Sequence, residues 1–290
     1  MKKYKVYEND LKFKELREIN PDDVEWNNIN IKKNYNNINC DNIEYRILEC
    51  KNNNDTYLDL SNMNLTKLIV EDKYINELVN VKYLFLNNNK LDKIDLSLFK
   101  YLEVLDISYN NLTEIINLPL TLRELCCNNN NLTFIESHNN LVRLECSNNK
   151  LIELNNYPNL ELLKCENNRL INISSYPVLK KLYCMSNPLI SIKENHLLEI
   201  LNCSMTDITE LINFSNLKEL ICTNSKLHTI NKTNPLQYLE ISHSAITKLD
   251  YFPKLKDFIY ANTTDLLISP KYKIKNYTKL KGHVIIVFEI

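Results

Sequence analysis

Apolar residues recur along the chain in a frame that reads L-x-x-L-x-L/C-x-x-N-x-L-x-x-L, as in LVRLECSNNKLIEL at 141–154. Within the frame, positions 4 and 6 alternate with polar positions, which predicts one short β-strand per copy. One copy cannot bury its leucines alone, so we expect stacked copies to form a parallel sheet over a continuous core. The eleven copies begin at residues 55, 81, 102, 122, 141, 160, 179, 198, 217, 236 and 255, with a constant spacing of 19 residues from 122 onward.

The segments between copies are too short for a helix. Only five residues separate one copy from the next, as in NNYPN at 155–159. We therefore expect the outer side to be extended, polyproline-like or a 3₁₀ turn, which agrees with prolines two residues before the next leucine. The longer interval at 69–80 has room for a short helix. Rings three residues before the next leucine predict a partial stack behind the core: His138, Tyr157, Tyr176, Phe214 and Phe252.

Over residues 55–268 the frame resembles the leucine-rich repeat family, in its short form of about 19 to 21 residues. It is similar to the repeats of bacterial effectors. The heavy use of Asn, Lys and Ile also makes it similar to leucine-rich repeat proteins of AT-rich genomes, including those of giant DNA viruses. The resemblance implies a leucine-rich repeat solenoid. Its curved parallel β-sheet would form the concave face, and its convex face would be extended or 3₁₀ with little helix.

The two ends lack the repeat, and we expect them to cap the open core. Residues 1–54 predict a short α-helical N-terminal cap, with an amphipathic helix at 8–19, a further turn at PDDVEW and a first strand at 44–50. Recruitment of a partner is the alternative role for this region. Residues 269–290 predict a β C-terminal cap, in which HVIIVFEI is a buried strand that closes the edge of the sheet.

A column of cysteines occupies position 6 of the frame. Leucine or isoleucine fills the same column at Leu86, Ile107 and Ile241, so the cysteines are expected in the core as small apolar residues. A zinc or disulfide ladder is the alternative, but zinc needs four ligands that converge on one point, not a line. Cys126 is at position 5 instead, where we expect exposure and the most reactive thiol. The column comprises Cys127, Cys146, Cys165, Cys184, Cys203 and Cys222.

A column of asparagines occupies position 9, where the chain must leave the strand. An inward amide both donates and accepts hydrogen bonds, so we expect it to pair with backbone groups of its own and the next repeat. From residue 206 the column changes to Thr206, Ser225, Ser244 and Thr263, which predicts a slightly different turn. The asparagines are Asn89, Asn110, Asn130, Asn149, Asn168 and Asn187.

Composition narrows the classes of function. The chain has 35 basic and 36 acidic residues, so we expect no general affinity for nucleic acid or for an acidic membrane. No apolar run approaches the roughly 20 residues of a membrane span, and the N-terminus lacks the apolar region of a secretory signal. An intracellular location is expected, cytoplasmic or in the host cytoplasm if the protein is viral. In that compartment the nine cysteines would be free thiols.

Catalytic and cofactor motifs are not found in the sequence. The single glycine, Gly282, excludes a Walker loop and a dinucleotide fingerprint. The five histidines form no ligand spacing, and no serine lies in a nucleophile elbow. We therefore expect no enzyme activity, no metal and no cofactor.

Positions 3 and 5 are expected to project from the concave face, where they form two apolar clusters. A charged band of Asp106, Glu124, Arg143 and Glu145 separates the clusters. Single apolar residues on a surface are ordinary, but contiguity over several repeats indicates partner binding. The N-terminal cluster is Tyr57, Tyr83, Phe85 and Val104, with Tyr109 as a possible addition. The C-terminal cluster is Leu162, Tyr183, Ile200, Ile221 and Tyr238.

These observations predict a non-enzymatic protein–protein interaction module, a monomer that binds an unknown protein partner through the concave face. One alternative is the targeting part of an effector or ubiquitin-ligase-like system, for which too few residues lie outside the repeats to form a catalytic domain. The other alternative is a structural virion component.

Overall fold

The computed structural model describes residues 43–52, 56–68, 78–212, 214–230, 235–261, 266–280 and 283–289. The helix predicted at 8–19 and the turn at PDDVEW lie outside these residues, and the helix predicted at 69–80 lies mostly outside them. One α-helix is described, α1 (Ile43–Asn52).

Short strands follow α1 in regular succession. The first ten are β1 (Tyr57–Asp59), β2 (Tyr83–Phe85), β3 (Lys93–Asp95), β4 (Val104–Asp106), β5 (Glu114–Ile116), β6 (Glu124–Cys126), β7 (Arg143–Glu145), β8 (Leu162–Lys164), β9 (Asn172–Ile173) and β10 (Lys181–Tyr183). The others are β11 (Ser191–Ile192), β12 (Ile200–Asn202), β13 (Glu210–Leu211), β14 (Glu219–Ile221), β15 (Thr229–Ile230), β16 (Tyr238–Glu240), β17 (Lys248–Leu249), β18 (Asp257–Tyr260), β19 (Leu267–Ile268), β20 (Ile274–Leu280) and β21 (His283–Phe288).

One sheet of 13 strands organises the molecule, in the order β1-β2-β4-β6-β7-β8-β10-β12-β14-β16-β18-β21-β20. The strands from β1 to β18 in this order are parallel, and each begins at position 3 of one repeat copy. Equivalent positions pair across the strands, as Leu144 does with Leu125 and Leu163. Positions 4 and 6 of each copy therefore stack on the core side, where leucines and the six column cysteines are buried. This confirms the predicted leucine-rich repeat solenoid.

The opposite side of the core is built from short extended pieces, as predicted. Two-residue and three-residue strands pair there as β3-β5, β9-β11, β13-β15 and β17-β19. Behind the core the rings of Tyr157 and Tyr176 stack with centroids 6.2 Å apart. Phe214, Phe252 and His138 are buried at equivalent places, and His138 Nε2 lies 2.9 Å from the carbonyl oxygen of Pro119.

The strand predicted at 44–50 is wrong, because this segment lies within α1. Ile43, Ile47 and Cys50 have helical spacing, and Ile47 and Cys50 are buried in the core while Ile43 packs against it. The apolar period of the wider segment is therefore that of a helix. The helix packs against β1 and covers the N-terminal end of the core.

The C-terminal prediction is confirmed in part. HVIIVFEI contributes β21, which pairs antiparallel with β18 and buries Ile286 and Phe288. It does not close the sheet, because β20 pairs with its other side and becomes the outermost strand. The residues of β20, IKNYTKL, lack the continuous apolar run that made β21 recognisable in the sequence.

The asparagine column forms the predicted turn, but its hydrogen bonds reach the preceding repeat, whereas bonds to the next repeat were predicted. Asn168 donates through Nδ2 to the carbonyl oxygens of Cys165 at 3.1 Å and Cys146 at 3.0 Å. Its Oδ1 accepts from the N–H of Leu151 at 3.0 Å, so it links its own repeat to the preceding one. In the described residues, the hydroxyls of Thr206 and Ser225 donate to carbonyls of their own repeats only, Cys203 and Cys222.

Position 8 of the frame has a left-handed backbone in ten copies. Its φ angle lies between 49° and 60° at Asn62, Asn88, Tyr109, Asn129, Asn148, Asn167, Ser186, Met205, Asn224 and His243. Glycine usually fills such positions, but asparagine tolerates them because its short side chain bonds locally. Abundant asparagine thus allows the solenoid to turn with one glycine in the chain.

Candidate interaction surface

We call the side of the large sheet opposite the core the concave face. Positions 3, 5 and 7 of each copy project there, because they alternate with the core positions 4 and 6. All nine residues predicted to bind a partner lie on strands at positions 3 and 5. Seven of them are half-buried, whereas Val104 and Leu162 are buried and offer little accessible surface.

The N-terminal cluster is contiguous. Tyr57, Tyr83 and Val104 pair in register on β1, β2 and β4. The rings of Tyr57 and Phe85 approach to 5.0 Å between centroids in a tilted arrangement. Aromatic pairs prefer offset or tilted geometry, so these two rings support each other on the concave face.

The C-terminal cluster is interleaved with charges. In the register, Lys181 lies between Leu162 and Ile200. Glu219 likewise lies between Ile200 and Tyr238. The C-terminal cluster is therefore a mixed surface, on which apolar side chains alternate with lysine and glutamate.

Two electrostatic effects act within this mixed surface. Lys164 Nζ lies 5.9 Å above the ring of Tyr183, a cation–π distance. Burial raises the pKa of Glu219, and nearby lysines oppose the shift.

The charged band between the clusters is buried at Arg143 and Glu145 and half-buried at Asp106 and Glu124. Arg143 and Glu145 are each less than a tenth exposed, and Arg143 Nε donates to Glu145 Oε1 at 2.9 Å. Lys164 Nζ lies 3.4 Å from the same oxygen. Strands 4.8 Å apart bring these side chains together on one face and exclude water from between them. A buried pair of this kind is costly to break, so the band is a rigid part of the face.

Cys126 is not the exposed thiol that its position predicted. Its side chain is 7% exposed, and Asn128 Nδ2 donates to Sγ at 3.2 Å. Burial, together with the carboxylates of Asp106 and Glu145, raises its thiol pKa well above the usual value. The prediction failed because it treated each strand alone and ignored side chains on neighbouring strands.

Polar groups at position 7 complete this network. Asn128 Nδ2 also donates to Glu145 Oε2 at 3.3 Å, and Asn128 Oδ1 accepts from the N–H of Ser147 at 2.7 Å. The hydroxyl of Ser147 donates to Glu166 Oε2. Burial raises the pKa values of the Glu166 and Asp106 carboxyls. The centre of the concave face is thus a continuous network of hydrogen bonds.

Three exposed side chains at position 8 are larger than asparagine, those of Tyr109, Met205 and His243. Tyr109 is 57% exposed and Met205 is 53% exposed, although both occupy the left-handed conformation that asparagine adopts in other copies. Tyr109 was included in the predicted N-terminal cluster, whereas Met205 was not predicted. Met205 lines an open groove of 670 Å³ with Pro188, Lys226 and His243. The departure from asparagine in this column is the signal that could have found it.

The described residues contain neither a candidate metal site nor a membrane-spanning helix. In the part of the chain that the structure describes, no group of three or more His, Cys, Asp and Glu residues could hold a metal ion. The described helix is too short and too polar to cross a membrane.

Solved structures with this arrangement are leucine-rich repeat proteins. The chain is similar to YopM from Yersinia enterocolitica WA-314, with TM-score 0.61 and 23% identity over 84% of this chain and 61% of that one. YopM from Yersinia pestis has TM-score 0.60 and 22% identity, over 77% and 70% of the two chains. The LRIM1/APL1C complex has TM-score 0.59 and 23% identity, over 76% and 45%.

The chain therefore spans about three fifths of the Yersinia enterocolitica YopM chain and less than half of the LRIM1/APL1C chain. No protein-family model matches the sequence, and no curated protein does. The chain has the leucine-rich repeat fold.

Proposed function

We propose that this chain is a non-enzymatic protein-binding module that holds a protein partner on its concave face. The observation that carries the proposal is the set of half-buried aromatic and aliphatic side chains on neighbouring strands of this face. A few well-packed anchors, with tyrosine prominent among them, dominate the binding energy of protein interfaces. A solved structure of the same fold, the LRIM1/APL1C complex, is an assembly of proteins.

The strained residues at position 8 support the same surface. A left-handed residue other than glycine or asparagine costs about 1–2 kcal/mol. Tyr109 and Met205 incur this cost while they expose a large side chain beside an apolar cluster. Strained residues of this kind cluster at functional sites. We therefore include Tyr109 and Met205 in the partner-binding surface.

The test is recovery of the native partner by the tagged full chain, quantified by mass spectrometry. The test variant is Tyr183→Ser with Ile221→Ser on the concave face. The matched control is Ile152→Ser with Ile171→Ser, two exposed isoleucines at position 12, which lies outside that face. We expect the concave variant to recover at least about tenfold less of a specific partner, because anchors contribute about 2 kcal/mol each. Equal recovery by the two variants would refute the concave face as the binding surface.

A further inference from the structure

Among the described residues, the last strand of the sheet, β20, has one unpaired edge. It has seven residues, whereas most strands of the repeats have three, and it lies at the end of the strand order. Its one neighbour among the described residues is β21, with which it forms an antiparallel pair. The other edge of β20 therefore offers backbone N–H and C=O groups that an extended segment can pair with.

Apolar side chains are exposed on the same strand. Ile274 is 51% exposed and Tyr277 is 46% exposed. Tyr277 pairs with Ile286 in the register, so both side chains lie on one face of the hairpin, yet only Ile286 is covered by the core. An added strand would extend this face and cover Tyr277, in the way that each repeat covers its neighbour.

The charge of this edge is uniformly positive. Lys273, Lys275 and Lys279 are exposed, and the described part of the chain offers none of them an ion-pair partner. Several lysines of the repeats, in contrast, pair with carboxylates of neighbouring repeats, as in Lys180–Glu161 and Lys218–Glu199. The strand itself, IKNYTKL, contains no acidic residue.

We propose that β20 is a second docking surface, which binds an acidic, extended segment of another protein by strand addition. Backbone pairing would supply affinity, and carboxylates opposite the three lysines would supply selectivity. A second copy of this chain is a poor occupant, because two β20 edges would place lysine against lysine. The lysines and the irregular register between Ile274 and Asn276 protect the edge from self-pairing, but the lysines attract an acidic strand.

The probe is a blocked synthetic peptide in which glutamate and valine alternate, titrated into the full chain by isothermal calorimetry. We expect it to bind, and the matching peptide of lysine and valine not to bind. The double variant Lys275→Glu with Lys279→Glu should lower the affinity for the acidic peptide by about tenfold and allow the basic peptide to bind. The control Lys150→Glu with Lys193→Glu makes the same charge change at exposed sites outside the C-terminal hairpin and should leave binding unchanged.

Backbone methylation separates strand addition from attraction of charge alone. An antiparallel or parallel neighbour bonds to an edge through alternate residues, so N-methylation of one alternate set should abolish binding and methylation of the other should not. Loss of hydrogen exchange at β20 amides would accompany binding. The proposal is overturned if the acidic peptide does not bind, if both methylated forms bind equally, or if both charge-reversal variants behave alike.

Discussion

At the scale of single residues, two columns of asparagine make the solenoid turn by different physical means. The buried amide at position 9 satisfies backbone groups of two repeats, whereas position 8 tolerates a left-handed backbone. The first role followed from the sequence, since a repeated polar residue in a core frame must be paired. The second did not, because φ angles leave no trace in hydrophobic patterning. The sequence also did not predict that the side-chain amides at position 9 bond to the preceding repeat instead of the next one.

Replacement of Met205 by asparagine should stabilise the fold. Met205 has φ of 54°, a conformation that asparagine adopts in six other copies. We expect Met205→Asn to raise the free energy of unfolding by about 1 kcal/mol, measured by urea denaturation. The reciprocal change Asn148→Met, at the equivalent position, should lower it by a similar amount. A lower stability for Met205→Asn would show that the side chain contributes more than its backbone costs.

Removal of the Asn168 amide should be strongly destabilising. The change Asn168→Ala leaves the buried carbonyl of Cys146 and the N–H of Leu151 without this partner. We expect a loss of about 3 kcal/mol in the free energy of unfolding, since each unsatisfied buried group costs about 1–3 kcal/mol. Asn168→Thr should cost less, because threonine can keep a bond within its own repeat as Thr206 does. Similar losses for both variants would contradict the role of the inter-repeat bonds.

At the scale of elements, the strands and the column of core cysteines were predictable, because many copies of the repeat show which residue types occupy each position. The single-copy elements were not. Residues 44–50 were assigned to a strand, although Ile43, Ile47 and Cys50 have helical spacing. Crowding of side chains across strands was not predicted either. Arg143 and Glu145 are charged residues at positions expected to project from the sheet, yet side chains on neighbouring strands bury them.

The same crowding predicts that Cys126 is slow to react. Its thiol is buried, and its pKa is raised by burial and by two carboxylates, so little thiolate exists at pH 8. We expect alkylation of Cys126 in the folded chain to be at least about tenfold slower than in the urea-unfolded chain, as measured by peptide mapping. Comparable rates in the two states would restore the sequence-based expectation of a reactive thiol.

At the scale of the whole molecule, the six column cysteines couple stability to alkaline pH. All six are buried, and burial raises their pKa values, that of Cys203 to about 12. An unfolded cysteine titrates at about 8.5, so the folded chain holds its thiol protons more tightly than the unfolded chain. The stabilisation is fully present below the unfolded pKa and is lost as pH rises toward the folded one. Each thiol should lower the free energy of unfolding by about 1.4 kcal/mol per pH unit in this window.

Urea denaturation of the reduced chain between pH 7 and pH 10 measures this dependence, and Cys203→Val isolates one thiol. Valine suits the column because Ile107 and Ile241 already occupy it in other copies. We expect the variant to lose stability less steeply above pH 9, by about 1.4 kcal/mol per pH unit, whatever its stability at pH 7. Buried Tyr157 and Tyr176 also have raised pKa values, but they act equally in both chains and cancel in the difference. Parallel curves would mean that the Cys203 thiol titrates alike in the folded and unfolded states, as an exposed residue would.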